Sequence, residues 1–493
     1  MSMNIVLNNP YLCYILIMEK KYYVTIGLEI HAELNTKTKM FCSCKNDPEE
    51  KEPNKNICPV CMAHPGALPT PNKQAIENVI KVGLGIGGEI ANFSEFDRKN
   101  YFYPDIPKGY QISQLKYPIV KGGSLANMKI TRIHLEEDTA NNKHDRGDFS
   151  IIDFNRAGVP LMELVTEAHT FDTAEEAANV ASNFAREYQL LLEYLGASHA
   201  NMEKGEMRVE ANVSISPVRD ELWKGYVEVK NLNSFKTVER AILYEVNRMT
   251  KLWEEGKQDE IMKETRGWDE AKQKTISQRK KESSEDYRYF PDPDLAKMYL
   301  HEAFDLEKMK NELPELPVAK RIRYKNDYGI KDEDIEIYIN NLDLANYFEG
   351  VANILSDKEK IKTASNYILT DYIGIKKVNE NANLPSSTNF AELISLISEG
   401  KISSRVAKDI LAMITLEDAS PLKIAEEKNL IQKNDEGEIK AIVEKIISEN
   451  PEVVATYKAG KENAIMSLVG KVIKESQGSA NPQMVIKLLK ELI

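Results

Sequence analysis

VTIGLEIHAEL, residues 24–34, decides how the chain is read. Leu28, Ile30, Ala32 and Leu34 fall on one side of an extended segment, and Glu29, His31 and Glu33 on the other, because successive strand side chains point to opposite faces. EMRVEANVSIS (206–216) repeats the pattern: Met207, Val209, Ala211, Val213 and Ile215 alternate with Arg208, Glu210, Asn212 and Ser214. ITRIHLEE (130–137) and YVEVKN (226–231) are shorter versions. Each predicts a strand with one core face and one wet, charged face. A solvated sheet surface explains any one of them alone. Acids mixed with a histidine, Arg208 and Lys230 suit a metal–nucleotide pocket better, since gathered carboxylates repel unless a cation sits among them. That reading requires the strands to be neighbours.

The rest of the composition narrows the class. A chain of 493 residues is too long for one core, so two to four domains are expected. With 42% hydrophobic and 29% charged residues it is an ordinary globular protein, neither disordered nor membranous. A formal charge of −12 argues against a general nucleic-acid binder, so any RNA contact must be local. From Tyr457 to the end, six lysines against three glutamates give a local +3. YLCYILIM (11–18) is far shorter than the roughly 20 apolar residues of a membrane span. Neither a basic segment before it nor a cleavage site after it marks a signal peptide. Met18-Glu-Lys-Lys reads as a start, and residues 1–20 are expected to be a non-functional extension.

Strand signals dominate to about residue 300, interleaved with helices expected over 72–84, 173–195 and 238–254. Beyond the spacer Leu313-Pro-Glu-Leu-Pro317 helices take over, and a further boundary is expected near 418–421. Residues 461–475 carry Ile465, Leu468, Val469, Val472 and Ile473 on one helical stripe, with Gly478 as terminator. Asn481-Pro482 then reads as an N-cap followed by proline at the first helical position.

Cys42-x-Cys44, thirteen residues, then Cys58-x-x-Cys61 is a zinc spacing: two thiolate pairs on tight turns can close a tetrahedral S4 shell, structural because no position stays open. His64 is surplus to that shell, and Cys13 is isolated. The glycine run Gly83-Leu-Gly85-Ile-Gly87-Gly88 fits a dinucleotide fingerprint but follows a helix instead of opening one, so it reads as a helix terminus. Gly122-Gly123-Ser124 reads as a hairpin turn. No phosphate loop of the G-x-x-x-x-G-K-[ST] kind occurs, and no serine–lysine or cysteine–histidine constellation for amide hydrolysis stands out.

Dense polar-aromatic blocks complete the pattern and suit ordered loops around a polar ligand. GLEIHAEL (27–34), DRKNYFYPDIPKGYQISQ (97–114), HLEED (134–138), NRAGVPLMELV (155–165), KNLNSF (230–235), ETRGWDE (264–270), DYRYFPDPDL (286–295) and GSANPQMV (478–485) resemble the B-subunit family of the aspartyl/glutamyl-tRNA amidotransferases. The resemblance runs from about Tyr23 to the C-terminus, in order. It implies an α+β protein: a glutamine-synthetase-like antiparallel-sheet cradle over 21–300 with a zinc knuckle at 42–61, a helical domain over 301–420, and a YqeY-like helical tail over 421–493 that touches tRNA. No insertion separates cradle and helices, which favours the bacterial three-subunit form.

The implied activity is ATP-dependent conversion of mischarged Glu-tRNA(Gln) or Asp-tRNA(Asn) to the amide. By motif match, Mg2+ is assigned to Glu29, His31, Glu136, Glu137 and Glu210, with His31 acting through water. Glu29, His31, Glu137, Lys230 and Asn233 are the expected catalytic residues. Arg208, Asn212 and Lys230 are expected on phosphate or substrate, and Lys99 and Lys108 on the route of ammonia from a partner amidase, the A subunit. A small C subunit completes the expected heterotrimer, in the cytoplasm. Cys42, Cys44, Cys58 and Cys61 would stabilise through zinc without joining catalysis. A non-catalytic RNA scaffold and a free-standing amide ligase are the rivals. The first predicts that phosphorylation survives loss of Glu29 or Glu137, and the second turnover without tRNA.

Overall fold

A computed structural model describes residues 22–143, 147–221, 225–280, 287–432, 436–476 and 480–493. The expected N-terminal extension, Cys13 and the terminator Gly478 lie outside these. Two compact units divide between Leu316 and Pro317, at the proline-bearing spacer.

The first unit is organised by an eleven-stranded mixed sheet. Its main strands are β1 (Tyr23–Glu33), β2 (Met128–Glu137), β3 (Pro160–Thr166), β4 (Met207–Ser216), β5 (Val227–Leu232), β6 (Glu264–Asp269) and β7 (Lys274–Lys280). They run β7-β6-β5-β4-β1-β3-β2 across the sheet, continued by the short strands Val120–Lys121 and Glu89–Ile90. The four polar stretches are therefore close neighbours, with β1 at the centre. The sheet is not purely antiparallel: β5 and β6 pair in parallel. The reason is their connection, which is a twenty-residue helix instead of a turn and so returns the chain in the same direction.

Helices α1 (Lys73–Gly85), α2 (Ala174–Tyr194) and α3 (Phe235–Glu254) share one core with the apolar face. Leu28, Ile30 and Ala32 of β1 and Met207, Val209 and Ala211 of β4 are fully buried there. Each helix starts at a side-chain cap that satisfies an otherwise orphaned N–H: Asn72 accepts from Ala75, Thr173 from Glu176 and Ser234 from Thr237. The Ser234 cap starts α3 a turn before its apolar stripe, which is why spacing alone places the start at 238.

The glycine run does end α1, with Gly87 at φ +68°. Gly122-Gly123 is not the hairpin turn. The segments Val120–Lys121 and Ser124–Leu125 both pair with β2, so the two glycines only interrupt an edge. The tight turn is Ala126-Asn127, both at positive φ as a two-residue hairpin of matching twist demands.

The second unit is helical throughout its described residues. Its last part has a core of its own, joining Ile439, Val443 and Ile446 to Leu468, Val472, Val485 and Leu489. The final helix, Pro482–Leu492, is capped by Asn481 as expected, whereas the preceding one, expected from 461, starts at Ala464, one residue before its stripe begins. Among the described residues, no helix is long and apolar enough to cross a membrane.

Candidate active site

Strand register brings the polar residues together. On the wet face Glu29 is paired with Glu210 and His31 with Arg208 across β1 and β4, while His31 also stands opposite Glu163 across β1 and β3. Glu163 in turn pairs with His134 of β2, and Leu161 with Glu136. The register between β2 and β3 slips by one residue at Thr131, between the pairs Ile130–Thr166 and Arg132–Val165. That bulge lets Ile130 and Ile133, three apart, both enter the core, and so turns Arg132, His134 and Glu136 toward the wet face.

The result is a chamber of ≈ 380 Å³. Its floor carries Glu29, His31, His134, Glu136, Glu163, Arg208, Glu210, Glu228 and Lys230, and its walls carry Lys99, Tyr287 and Tyr289. Two groups of ligand atoms converge inside it, each within 4.8 Å: His31, Glu136 and Glu163, and Glu29, Glu210 and Glu228. His31 Nε2 lies 3.4 Å from Glu136 and 3.3 Å from Glu163, and His134 Nε2 lies 3.2 Å from Glu163.

Charge is shared tightly. Burial alone would push the His31 imidazole down, but Glu163 and Glu136 outweigh it and hold it well above the usual histidine value. Against burial, the two histidines hold the Glu163 carboxyl well below its usual range, and His31 and Lys99 keep Glu136 low. Burial likewise opposes the charge on Lys99, yet Tyr289, Glu136 and Glu163 keep its pKa raised. Burial and Asp138 push Glu33 up to about 7, against the pull of Arg208 and Arg156. On the other flank Lys230 donates to Glu210 at 2.7 Å, and Asn212 donates to Glu29 at 2.8 Å.

Donor chemistry fits divalent cations. Carboxylate oxygens dominate both groups, as hard cations require. His31 lies between two buried acids and Lys230 beside Glu210, so each group of carboxylates has a nitrogen partner within it. Among the described residues, the buried His134 Nδ1 and Arg132 Nε have no hydrogen-bond partner.

Two expected residues stand elsewhere. Glu137 points to the opposite face from Glu136, where it takes Lys108 Nζ at 2.7 Å and the Ile112 N–H at 3.0 Å. Asn233 is exposed just after β5 and does not line the chamber. Of the two expected channel lysines, Lys99 is in the chamber and Lys108 is with Glu137. The Glu137 side opens to a cavity of ≈ 210 Å³, also lined by Phe41, Cys61 and Tyr110. A constriction of ≈ 10 Å³ shares Lys108 and Glu137 with that cavity, and Gln111, Asp138 and Thr139 with the chamber.

Sequence reasoning overlooked Glu163, His134, Glu228 and the chamber tyrosines as site residues. Glu163 left a signal: a lone acid in PLMELV, an otherwise apolar strand, is costly unless it serves a site.

The four cysteine sulfurs also converge within 4.8 Å. Zinc–sulfur bonds of about 2.3 Å in a tetrahedron put sulfurs about 3.8 Å apart, close to the 3.9 Å between Cys58 and Cys61. The Cys58 N–H donates to Cys61 Sγ at 3.1 Å. That thiol is drawn down to about 5, chiefly by the Cys42 thiol, while burial pushes Cys44 up to about 12. His64 is not part of the group.

Fold and site define a class: an enzyme-type acidic chamber on the open face of a mixed sheet, followed by a separate helical unit. Within that class, the chain belongs to the GatB/GatE family. The model described as the GatB/GatE catalytic domain matches residues 24–305, and the one described as the GatB domain matches 346–493. The B subunit of the aspartyl/glutamyl-tRNA(Asn/Gln) amidotransferase of Thermotoga maritima is 42% identical over 96% of this chain and 99% of its own length. The protein of the same description from Synechocystis is 40% identical over 96% and 98%. The chloroplastic/mitochondrial B subunit of the glutamyl-tRNA(Gln) amidotransferase of Ricinus communis is 40% identical over 96% and 87%.

Proposed function

We propose that this chain is the B subunit of a glutamine-hydrolysing aminoacyl-tRNA amidotransferase, a ligase that amidates mischarged Glu-tRNA(Gln), Asp-tRNA(Asn) or both. The observation that carries this reading is the convergence of His31, Glu136 and Glu163 beside Glu29, Glu210 and Glu228 on one sheet face. The substrate pair follows the descriptions of its relatives.

A carboxylate at neutral pH is a poor electrophile, so an oxygen of the aminoacyl side chain first attacks the γ-phosphorus of ATP and ADP leaves. Ammonia then attacks the activated carbonyl carbon and phosphate leaves. Bound at the two acid groups, Mg2+ would neutralise the phosphate charge that opposes the first step. His31, Glu136, Glu163, Glu29, Glu210 and Glu228 are its proposed holders. Lys99, Arg208 and Lys230 supply fixed positive charge toward the phosphates and the incoming carboxylate. Tyr287 and Tyr289 close the wall and exclude water that would hydrolyse the activated acyl group.

Glu137 takes a different part in this reading. Its pair with Lys108 stands at a constriction of a size suited to one small molecule such as water or ammonia. Asp138 and Thr139 continue that polar path to the chamber. This supports a route for ammonia released by a partner amidase, the A subunit of a heterotrimer whose third member is a small C subunit. The finer fold reading belongs here too: a glutamine-synthetase-like cradle, and a YqeY-like tail whose separate core and local +3 suit tRNA contact. Structural zinc at the four cysteines and a cytoplasmic location complete the proposal.

The test is co-expression with the amidase and small subunits, with labelled Glu-tRNA and Asp-tRNA supplied separately. ATP-dependent amide formation on at least one is expected. Amide formation without ATP, or none on either, overturns the reading.

A further inference from the structure

A second cavity of ≈ 380 Å³ adjoins the acidic chamber and shares Leu115 and Tyr289 with it. We propose that it is a pocket for an unpaired nucleobase bearing an exocyclic amine, cytosine or adenine, with the Glu95 carboxylate accepting from that amine. The proposal rests on the function argued above, because both nucleotide substrates of that reaction, the RNA acceptor end and ATP, bring such a base to the chamber.

The pocket is built into the fold. The segment 93–97 is extended, so Phe93, Glu95 and Asp97 line the cavity while Ser94 and Phe96 turn inward. Phe96 packs edge-on against Phe41, and Ser94 donates to the Tyr117 carbonyl at 2.7 Å. Short strands fix the opposite wall: Phe290–Pro291 pairs with Asp97–Arg98, and Met298–Tyr299 with Phe93–Ser94.

Three kinds of group meet there. Phe93, Tyr117 and Phe290 offer ring faces and edges, with Phe93 and Tyr117 5.0 Å apart. Such rings hold unpaired bases by stacking. Exposed Lys116 and Lys297 stand over Tyr117 and Phe93 at 5.1 and 5.7 Å, cations placed for a phosphate backbone at the rim. Glu95 is only 8% exposed, and its carboxylate has no hydrogen-bond donor or ion pair among the described residues. Asp97 beside it differs, since it accepts from the Leu115 N–H at 2.8 Å. A carboxylate that lines the cavity with no donor of its own is free to accept from a ligand amine. Carboxylates accept from the amine of cytosine in this way, and uracil has a carbonyl at the same position.

The experiment uses the assembled complex and two variants. Glu95→Met removes the acceptor at similar length, and Glu95→Gln keeps a neutral one. An RNA acceptor hairpin ending in CCA is titrated against one ending in UUA. Wild type is expected to prefer CCA by about fivefold, Glu95→Met to lose the preference, and Glu95→Gln to keep part of it. In turnover, Glu95→Met should raise KM for aminoacyl-tRNA by about fivefold at unchanged kcat. A rise confined to KM for ATP supports the same base pocket with the nucleotide as its source. No change in hairpin preference or in either KM, in a variant with unaltered melting midpoint, overturns the proposal. Hairpin binding needs no turnover, so a wild-type complex that makes no amide would refute the function while leaving the pocket's answer intact.

Discussion

Glu136 and Glu137 are consecutive in the chain and face opposite sides of the sheet. Glu136 lies 3.4 Å from His31 in the acidic chamber, whereas Glu137 is held 2.7 Å from Lys108 on the far side. Strand alternation makes this unavoidable, and it separates two acids that a motif presents as one unit.

Their substitutions should therefore fail differently. Glu136→Gln is expected to lower ATP-dependent phosphorylation of Glu-tRNA by about a hundredfold or more, the loss typical of removing charge stabilisation at a reacting phosphate. Glu137→Gln should leave that step within a few fold but uncouple it from glutamine, so that added ammonium salt restores amide formation. Labelled phosphate transfer and amide assays with each nitrogen source measure the two. Equal loss of phosphorylation in both variants would refute the division.

The glycine run after α1 is a packing device. A Cβ on Gly83 would sit 2.6 Å from Val120 and 2.8 Å from Ile90, so Gly83→Ala should cost about 1–3 kcal/mol as overpacking. Gly87→Ala meets no neighbour but strains a left-handed residue, at about 1 kcal/mol. Denaturation should register both, with KM for ATP unchanged. A large rise in that KM would reinstate the run as a nucleotide loop.

Removing the metal expected at the four cysteines should weaken the fold and spare the chemistry. Cys42→Ser is expected to release about one zinc per chain and lower the melting midpoint by roughly 5–10 °C. Turnover in the cold should stay near wild type. Zinc content by atomic absorption and thermal scans read the two effects, and an unchanged midpoint on full zinc loss would count against a structural role.

Acid should loosen the helical unit through Glu349. Burial pushes this carboxyl up, but Lys320, Tyr324 and Arg323 prevail and hold it below 4.5. All three reach the same oxygen, at 3.0, 2.8 and 2.7 Å. A lowered folded-state value stabilises fully above the unfolded value and is lost as pH falls through the folded one. Partial exposure limits the effect to about 1 kcal/mol. Protection factors for hydrogen exchange in Pro317–Arg323 and Leu342–Leu355 should fall between about pH 5 and pH 3, and Glu349→Gln should flatten that dependence. Identical profiles for the two proteins would remove Glu349 as the cause.

Local patterns carried much of this. Alternation in 24–34 and 206–216 fixed which side chains face the core, because period two is a property of any strand. The cap Asn481 was legible as a short polar residue ahead of Pro482 and an apolar stripe, and the helices expected from 72 and 173 begin one residue later, at Lys73 and Ala174. Cysteine spacing predicted the group of four sulfurs, which needs only two nearby turns. Where a signal was weak, as at Ser234 and Gly122-Gly123, the element started or turned elsewhere.

By itself the sequence determined the faces of its strands, the ends of a few helices and the kinds of groups available for chemistry. Tertiary structure alone decided which of them meet. Glu163 joins His31 across 132 positions of chain because β1 and β3 pair, and no local periodicity encodes a partner strand. One extra residue near Thr131 turned His134 and Glu136 into the chamber and Glu137 away from it, since a single-residue slip reverses every side chain that follows.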